Sequence, residues 1–75
     1  MLNFSIVNWG LRQEPEATWR VKAVLSQQEA EREFVAAVQN CSFERLDLVN
    51  EDTGWTVAEA VQFQNKIEIT LYRQD

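Results

Sequence analysis

The sequence predicts a small α+β domain with its elements in the order ββαβββ, in which one amphipathic helix packs on one face of a largely antiparallel sheet. Three observations support this prediction. The chain has 75 residues, 45% of them hydrophobic and 25% charged, which is typical of a compact globular unit, so we expect residues 1–75 to form a single domain. Apolar and polar residues alternate in two stretches before a central segment and in three after it. The central segment itself has the period of a helix.

The two stretches near the N-terminus are predicted strands. Apolar and polar residues alternate from Leu2 to Trp9, as they do in a strand with one buried face. A loop bracketed by Gly10 and Pro15 follows, because these two residue types interrupt regular structure. Alternation returns from Thr18 to Leu25 and predicts a second strand, which we expect to pair with the first.

The central segment is a predicted helix that begins after Ser26. Ser26 and Glu29 have the spacing of a capping box, in which the serine hydroxyl accepts the backbone N–H three residues later. The apolar residues that follow recur at the helical period and form one stripe: Ala30, Phe34, Ala37, Val38 and Cys41. We expect the helix to end near Asn40.

Three more strands are predicted after the helix. The first is Phe43 to Val49, and residues 50–54 form a turn cluster in which Gly54 can take the positive φ of a hairpin loop. In the next strand the residues of one parity are apolar: Trp55, Val57, Val61 and Phe63. After a turn at Gln64 and Asn65, the last strand has the same pattern: Ile67, Ile69 and Leu71.

The fourth strand has an alternative. Thr56 and Glu59 also have the spacing of a capping box, and Ala58 and Ala60 favour helices, so residues 56–64 are consistent with a short second helix. Glu59 interrupts the apolar row of the predicted strand, where a buried carboxylate would need a partner. A β-bulge that turns Glu59 outward, or the helix alternative, would remove this conflict.

The composition excludes several chemistries. The sequence has no histidine and one cysteine, so it lacks the commonest general base, the commonest zinc ligand and any disulfide within the chain. Cys41 completes the apolar stripe of the helix and is predicted to be a small buried hydrophobe. No glycine-rich phosphate loop or calcium-loop spacing is present. We therefore expect no enzymatic activity, no cofactor and no metal.

The net charge and the cysteine content limit which cellular compartment and which classes of partner we expect. A single cysteine and the lack of a recognisable signal peptide predict a cytoplasmic protein. No apolar stretch approaches the roughly 20 residues that a membrane span needs. Seven basic and twelve acidic residues give a net charge of −5, which opposes contact with phosphate backbones and makes nucleic acid a disfavoured partner.

Trp9 is the first candidate for a binding surface. The chain has three tryptophans, of which Trp19 and Trp55 lie on inward parities and are predicted to belong to the core. Trp9 instead lies on the polar parity and leads into a loop with Leu11 and Arg12. Tryptophan and arginine dominate binding hot spots, so these three residues are the predicted anchor. The alternative is that Trp9 folds back over the helix or the sheet edge.

An acidic helix surface is the second candidate. It is formed by Glu29, Glu31 and Glu33, with Arg32 among them, and it continues toward Glu44. Acidic surfaces steer association with cationic sites. The leading hypothesis is therefore a non-enzymatic protein–protein interaction module, a small acidic regulator, adaptor or inhibitor. Its sharper form is a blocker that fills a basic nucleic-acid-binding site on its target, as a phage-type inhibitor would.

Two further expectations concern the sheet. The exposed face of the sheet is predicted to carry basic and aromatic residues, which are the types that bind single-stranded RNA. Binding of single-stranded RNA is therefore the alternative function. These residues are Arg20, Lys22, Arg45, Lys66 and Tyr72, with Phe43 nearby. Asp47 and Glu68 interleave on the same face, and cross-strand ion pairs explain the same residues. A homodimer through an edge strand is also expected, with strand five as the first candidate edge and strand one as the second.

Overall fold

The computed structural model describes residues 2–9, 15–21, 26–40 and 43–72, with only the backbone of residues 15–17, 19 and 20. The predicted α+β class and the element order ββαβββ are confirmed. The bounds of the elements are β1 Phe4–Trp9, β2 Pro15–Arg20, α1 Gln27–Asn40, β3 Arg45–Asn50, β4 Trp55–Phe63 and β5 Lys66–Leu71.

The five strands form one antiparallel sheet in the order β2-β1-β3-β4-β5. After α1, the chain returns to pair β3 with β1, so that Ile6 lies opposite Leu48. Within the described residues, the sheet therefore ends at β2 and β5. The expected position of strand five at an edge of the sheet is confirmed. The expected edge position of strand one is wrong, because β1 lies between β2 and β3.

The two faces of the sheet differ in what covers them. Residues directly opposite each other on antiparallel strands share a face, and α1 packs chiefly against β3. We call the covered side the helix face and the other side the open face. The helix face supplies most of the core together with Phe34 of α1: Phe4, Ile6, Leu46, Leu48, Ala58 and Ala60.

The helix agrees with its prediction at both ends. The Ser26 Oγ accepts the backbone N–H of Glu29 at 3.3 Å, which is one half of the capping box. Ala30, Phe34 and Val38 are buried, as the apolar stripe requires. The helix ends at Asn40, whose side-chain amide donates to the Ala36 carbonyl at 2.8 Å. The prediction for Cys41 lies outside the described residues.

Strand β2 begins earlier than predicted. Pro15 was expected in the loop, but it is the first residue of β2, which runs to Arg20. A proline fits there because β2 is an edge strand, where a missing N–H need not cost a ladder hydrogen bond. The predicted strand from Thr18 to Leu25 was therefore placed too late. Val21 follows β2, with its N–H bonded to the Phe4 carbonyl at 2.9 Å, and residues 22–25 lie outside the description.

Residues 56–64 belong to a strand and its turn, so the short-helix alternative is wrong. Leu48 lies opposite Ala58 whereas Val49 lies opposite Thr56, which makes Val57 the extra residue of a β-bulge. One extra residue reverses the inward and outward parity of the rest of β4. Glu59 therefore lies on the open face, as the bulge alternative predicted.

The predicted apolar row of β4 is consequently split. Val57 is buried in the core, but Trp55 is 62% exposed and Phe63 is 69% exposed. Assigning Trp55 and Phe63 to the core was wrong. The bulge turns Phe63 to the open face, whereas Trp55 stays on the helix face opposite Asn50 and is exposed there as the first residue of β4. Val61 lies on the open face with Glu59 and Phe63, and the alanines of β4 pack under the helix instead.

Both predicted hairpin turns are confirmed. Gly54 has a φ of +77° and its N–H bonds the Asn50 carbonyl at 2.7 Å. Gln64 and Asn65 have φ values of 48° and 66°. Two successive positive φ values are the signature of a two-residue type I′ turn, which matches the twist of the strands it joins.

Candidate functional site

Two surfaces bring together chemically distinctive residues. The first is an open-face cluster, made of Trp9, Arg45, Asp47, Glu59 and Tyr72. Its members come from β1, β3 and β4 and from the residue after β5, and the strand register brings them together: Trp9 lies opposite Arg45, and Asp47 lies opposite Glu59. The second surface lies on the helix face, between α1 and β5.

Asp47 is the centre of the open-face cluster. It is 4% exposed although it lies on the open face. Its carboxylate accepts hydrogen bonds from the Trp9 Nε1 at 2.9 Å and from the Arg45 Nε and Nη2 at 3.0 and 3.1 Å. The Arg45 guanidinium also lies 5.9 Å from the centroid of the Trp9 ring, within the range of a cation–π contact. Trp9 and Arg45 therefore cover and neutralise Asp47.

Glu59 extends the cluster toward β5. Its Oε2 lies 3.5 Å from the Arg45 Nη2 and accepts the Tyr72 hydroxyl proton at 3.3 Å. The Glu59 carboxylate raises the pKa of Tyr72, chiefly because its negative charge repels the tyrosinate form. The pKa of Arg45 is also raised, with its hydrogen bonds to Asp47 as the main cause. The raised pKa values favour a protonated Tyr72 hydroxyl and a charged Arg45 guanidinium, the forms that donate these hydrogen bonds.

This arrangement disfavours the single-stranded RNA interpretation of the open face. Arg45 and Tyr72 are engaged by carboxylates of the same chain, and Glu68 adds a further acidic residue to this face. Phe43, expected near the surface, is 8% exposed and belongs to the core. Lys22 lies outside the described residues, as does the side chain of Arg20. Glu59 and Glu68 place negative charge on this face, which opposes contact with a phosphate backbone.

The predicted Trp9 anchor is only partly described. Trp9 is half-buried, and its indole N–H donates to Asp47, which agrees with the alternative that it packs against the sheet. Leu11 and Arg12 lie outside the described residues. Trp9 is therefore a member of the open-face cluster, and its role in binding stays a prediction.

The second surface is the α1–β5 groove, an open apolar depression of about 410 Å³. It is lined by Val35, Ile69 and Leu71, with the polar residues Gln28, Glu31 and Arg32 along the helix. Val35 is 39% exposed, Ile69 and Leu71 are each 43% exposed, and neighbouring Ile67 is 47% exposed. These side chains are partly exposed because α1 packs over β3, and β5 lies two strands away from β3 in the sheet.

The structure distributes the predicted acidic surface over different sides of the helix. Successive residues of a helix are about 100° apart, so Glu29 and Glu33 project together while Glu31 projects to another side. Glu29 and Glu33 are exposed. Glu31 is half-buried at the groove, where it accepts a hydrogen bond from the Gln27 side chain at 3.2 Å. Only Glu31 therefore contributes to the groove.

The groove was not recognised in the sequence, although a signal for it was present. Ile67, Ile69 and Leu71 were assigned to a buried face because they alternate with polar residues. A sheet of five strands is about 20 Å wide, whereas one helix is about 10–12 Å across. One helix cannot cover five strands, so at least one apolar row had to be left partly exposed.

Within the described ranges, no helix is long and apolar enough to cross a membrane. Among the same residues, no group of acidic, histidine or cysteine side chains has the arrangement of a metal site. Comparison of the chain with protein-family models, with curated proteins and with solved structures found no match.

Proposed function

We propose that this protein is a non-enzymatic protein-interaction module that binds its partner through the α1–β5 groove. One observation carries the proposal: Val35 of α1 and Ile67, Ile69 and Leu71 of β5 are large apolar side chains that are each 39–47% exposed, and all of them except Ile67 line the groove. Contiguous exposed apolar surface costs solubility and marks interaction sites in soluble domains.

The shape and composition of the groove favour an amphipathic helix as the docked segment. The groove runs beside α1, is open to solvent and has an apolar floor on the strand. An amphipathic helix laid in such a groove buries its apolar face and leaves its polar face in water. Glu31 and Arg32 stand at the polar wall and supply one charge of each sign, which can fix the orientation of the docked helix.

The overall charge favours a partner with a basic surface. The net charge is −5, and Glu29 and Glu33 are exposed on α1. Such a field increases the rate of association with a cationic protein. In its sharper form, the proposal is a regulator or inhibitor that covers a basic, nucleic-acid-binding site of its target. The single cysteine suits a reducing compartment, and we place this activity in the cytoplasm.

The test is affinity capture from a lysate of the native cells with two matched variants. Val35→Asp places a charge in the groove, and Ala36→Asp places the same charge on the next, exposed position of the same helix. We expect wild type and Ala36→Asp to retain a common protein that Val35→Asp loses by at least tenfold, as measured by quantitative mass spectrometry. Circular dichroism checks that both variants fold equally well.

Two outcomes decide the proposal. A set of retained proteins that is the same for all three baits contradicts docking in the groove. For a partner that does depend on Val35, raising the salt concentration distinguishes the sharper form, because screening weakens attraction between exposed charges. Affinity that is unchanged by salt would show that the groove binds without help from the acidic surface and would reject the basic partner.

A further inference from the structure

We propose that β5 pairs with the β5 of a second copy of this chain in an antiparallel, two-fold symmetric dimer, and that this pairing joins two α1–β5 grooves into one trough. The use of the trough rests on the proposed function above, whereas the dimer does not. The partner strand at this edge of the sheet is thus the β5 of a second copy. The α1–β5 groove of one copy then forms half of the trough.

The backbone of β5 is available for this pairing. The Tyr72 N–H donates to the Val57 carbonyl at 2.9 Å, so the backbone groups of Tyr72 point toward β4. Backbone hydrogen-bonding groups alternate in direction along a strand. The N–H and C=O groups of Ile67, Ile69 and Leu71 therefore point away from β4, toward the side on which β5 has no neighbouring strand among the described residues.

Symmetry and charge select one register. A two-fold axis between antiparallel strands is perpendicular to the sheet, so the helices of both copies lie on the same side and opposite residues share a face. Placing Ile69 opposite the Ile69 of the second copy sets Ile67 opposite Leu71, and all three outward-pointing residues join the ladder. One neighbouring register puts Glu68 opposite Glu68, and like charges directly opposite are destabilising. The other moves Ile67 beyond the end of β5 and shortens the ladder.

The available area fits a weak, reversible dimer. The four exposed apolar side chains offer roughly 300 Å² per copy, about the size of a functional patch on a typical monomer. Strand pairing covers the outer side of β5 but leaves Ile67, Ile69 and Leu71 on the floor of the trough and Val35 at its wall. It therefore buries less than roughly 1,200 Å² across both copies, which is the range of weak and transient interfaces. We therefore expect a dimer that dissociates on dilution.

The dimer would complete the groove. Five strand spacings of about 4.8 Å separate the two β3 strands, so the two α1 axes lie about 24 Å apart. Each helix is about 10–12 Å across, which leaves a trough about 12–14 Å wide, the width of one more helix. Ile67, Ile69 and Leu71 of both copies form its floor, and Val35 and Arg32 of both copies stand at its walls.

Cysteine cross-linking tests both the dimer and its register. In a Cys41→Ser background, Ile69→Cys sets two cysteines directly opposite each other, about 5.5 Å apart between Cα atoms, which is within disulfide reach. Ile67→Cys is the matched control, because its two copies lie about 13 Å apart along the strands in this register. With oxidised glutathione, we expect Ile69→Cys to yield mostly covalent dimer on a non-reducing gel and Ile67→Cys at least tenfold less.

Light scattering of the unmodified chain over a concentration series supplies the second measurement. We expect the mass to rise toward that of a dimer, and Ile69→Lys to shift the midpoint to at least tenfold higher concentration. A monomer throughout, or equal cross-linking of the two cysteine variants, overturns the proposal. Neither result bears on Val35-dependent capture of a partner, so failure of the dimer and failure of the proposed function are distinguishable.

Discussion

Strands β3 and β5 have nearly the same sequence pattern and opposite environments. β3 begins Arg-Leu-Asp-Leu and β5 begins Lys-Ile-Glu-Ile, so both alternate aliphatic and charged residues with the same polarity. The aliphatic residues Leu46 and Leu48 of β3 are 0% exposed, whereas Ile67 and Ile69 of β5 are 47% and 43% exposed. Asp47 is buried and hydrogen-bonded, and Glu68 is exposed.

The difference follows from the position of each strand in the sheet. β3 lies between β1 and β4 and beneath α1, whereas β5 lies at the edge. Alternation tells which residues share a face, but the neighbours of the strand decide whether that face is covered. Apolar side chains of the same kind are thus buried and stabilise the fold in β3, whereas in β5 they remain partly exposed to solvent.

The largest expected effect comes from truncating matching aliphatic residues. Leu48→Ala removes side-chain atoms from a fully buried site and is expected to lower the free energy of unfolding by about 2–5 kcal/mol. Ile69→Ala is expected to cost less than about 1 kcal/mol, because much of its side chain is already in water. Urea titrations at concentrations where the chain is monomeric measure both. Equal losses would break the comparison.

The acidic residues of the two strands give the next effect. Asp47→Ala leaves the half-buried Trp9 indole N–H without its acceptor and removes both hydrogen bonds to Arg45, so we expect a loss of about 1–3 kcal/mol. Glu68→Ala is expected to change stability by no more than about 0.5 kcal/mol. Chemical denaturation followed by tryptophan fluorescence measures the pair. A larger loss for Glu68→Ala would show that β5 carries more of the fold than its exposure indicates.

The smallest effect concerns Tyr72, which links β5 to the open-face cluster. Its pKa is raised above the ordinary value of 10.0, chiefly by the charge of Glu59. Because the folded-state pKa is the higher one, the contact contributes fully at neutral pH and is lost as the pH rises through that pKa. Glu59→Gln should lower the pKa, as measured by tyrosinate absorbance, since Tyr72 is the only tyrosine. An unchanged pKa would show that Glu59 does not act on Tyr72 in solution.

Local signals in the sequence were sufficient for most elements. The capping box at Ser26 located the start of α1, and Gly54 and the pair Gln64 and Asn65 located both hairpin turns. These features depend on residues close in the chain. The inward and outward orientation of the β4 residues could not be predicted from neighbouring residues in the chain. It depends on the bulge at Val57, which is defined by pairing with Leu48 and Val49 of β3.

The candidate site was less accessible to sequence reasoning than the fold. For Trp9 the polar parity left two alternatives open, projection into solvent or packing back against the helix or the sheet edge. The sequence did not show that its indole N–H donates to the buried carboxylate of Asp47. The groove depends on which strand lies at the edge of the sheet beside α1. Strand order is set by long-range pairing, and the sequence pattern of β5 alone contains no information about it.

The central pairing of β1 with β3 also has a consequence for how the chain reaches its fold. β3, β4 and β5 follow one another through short turns, and hairpins of this kind form within microseconds. β1 reaches β3 only after β2 and α1 have been bridged, which is a far larger loop to close. We therefore expect the C-terminal three strands to assemble early and β1, together with the β2 that pairs with it, to join last. The rate of folding should then respond to changes in β4 more than to changes in β2.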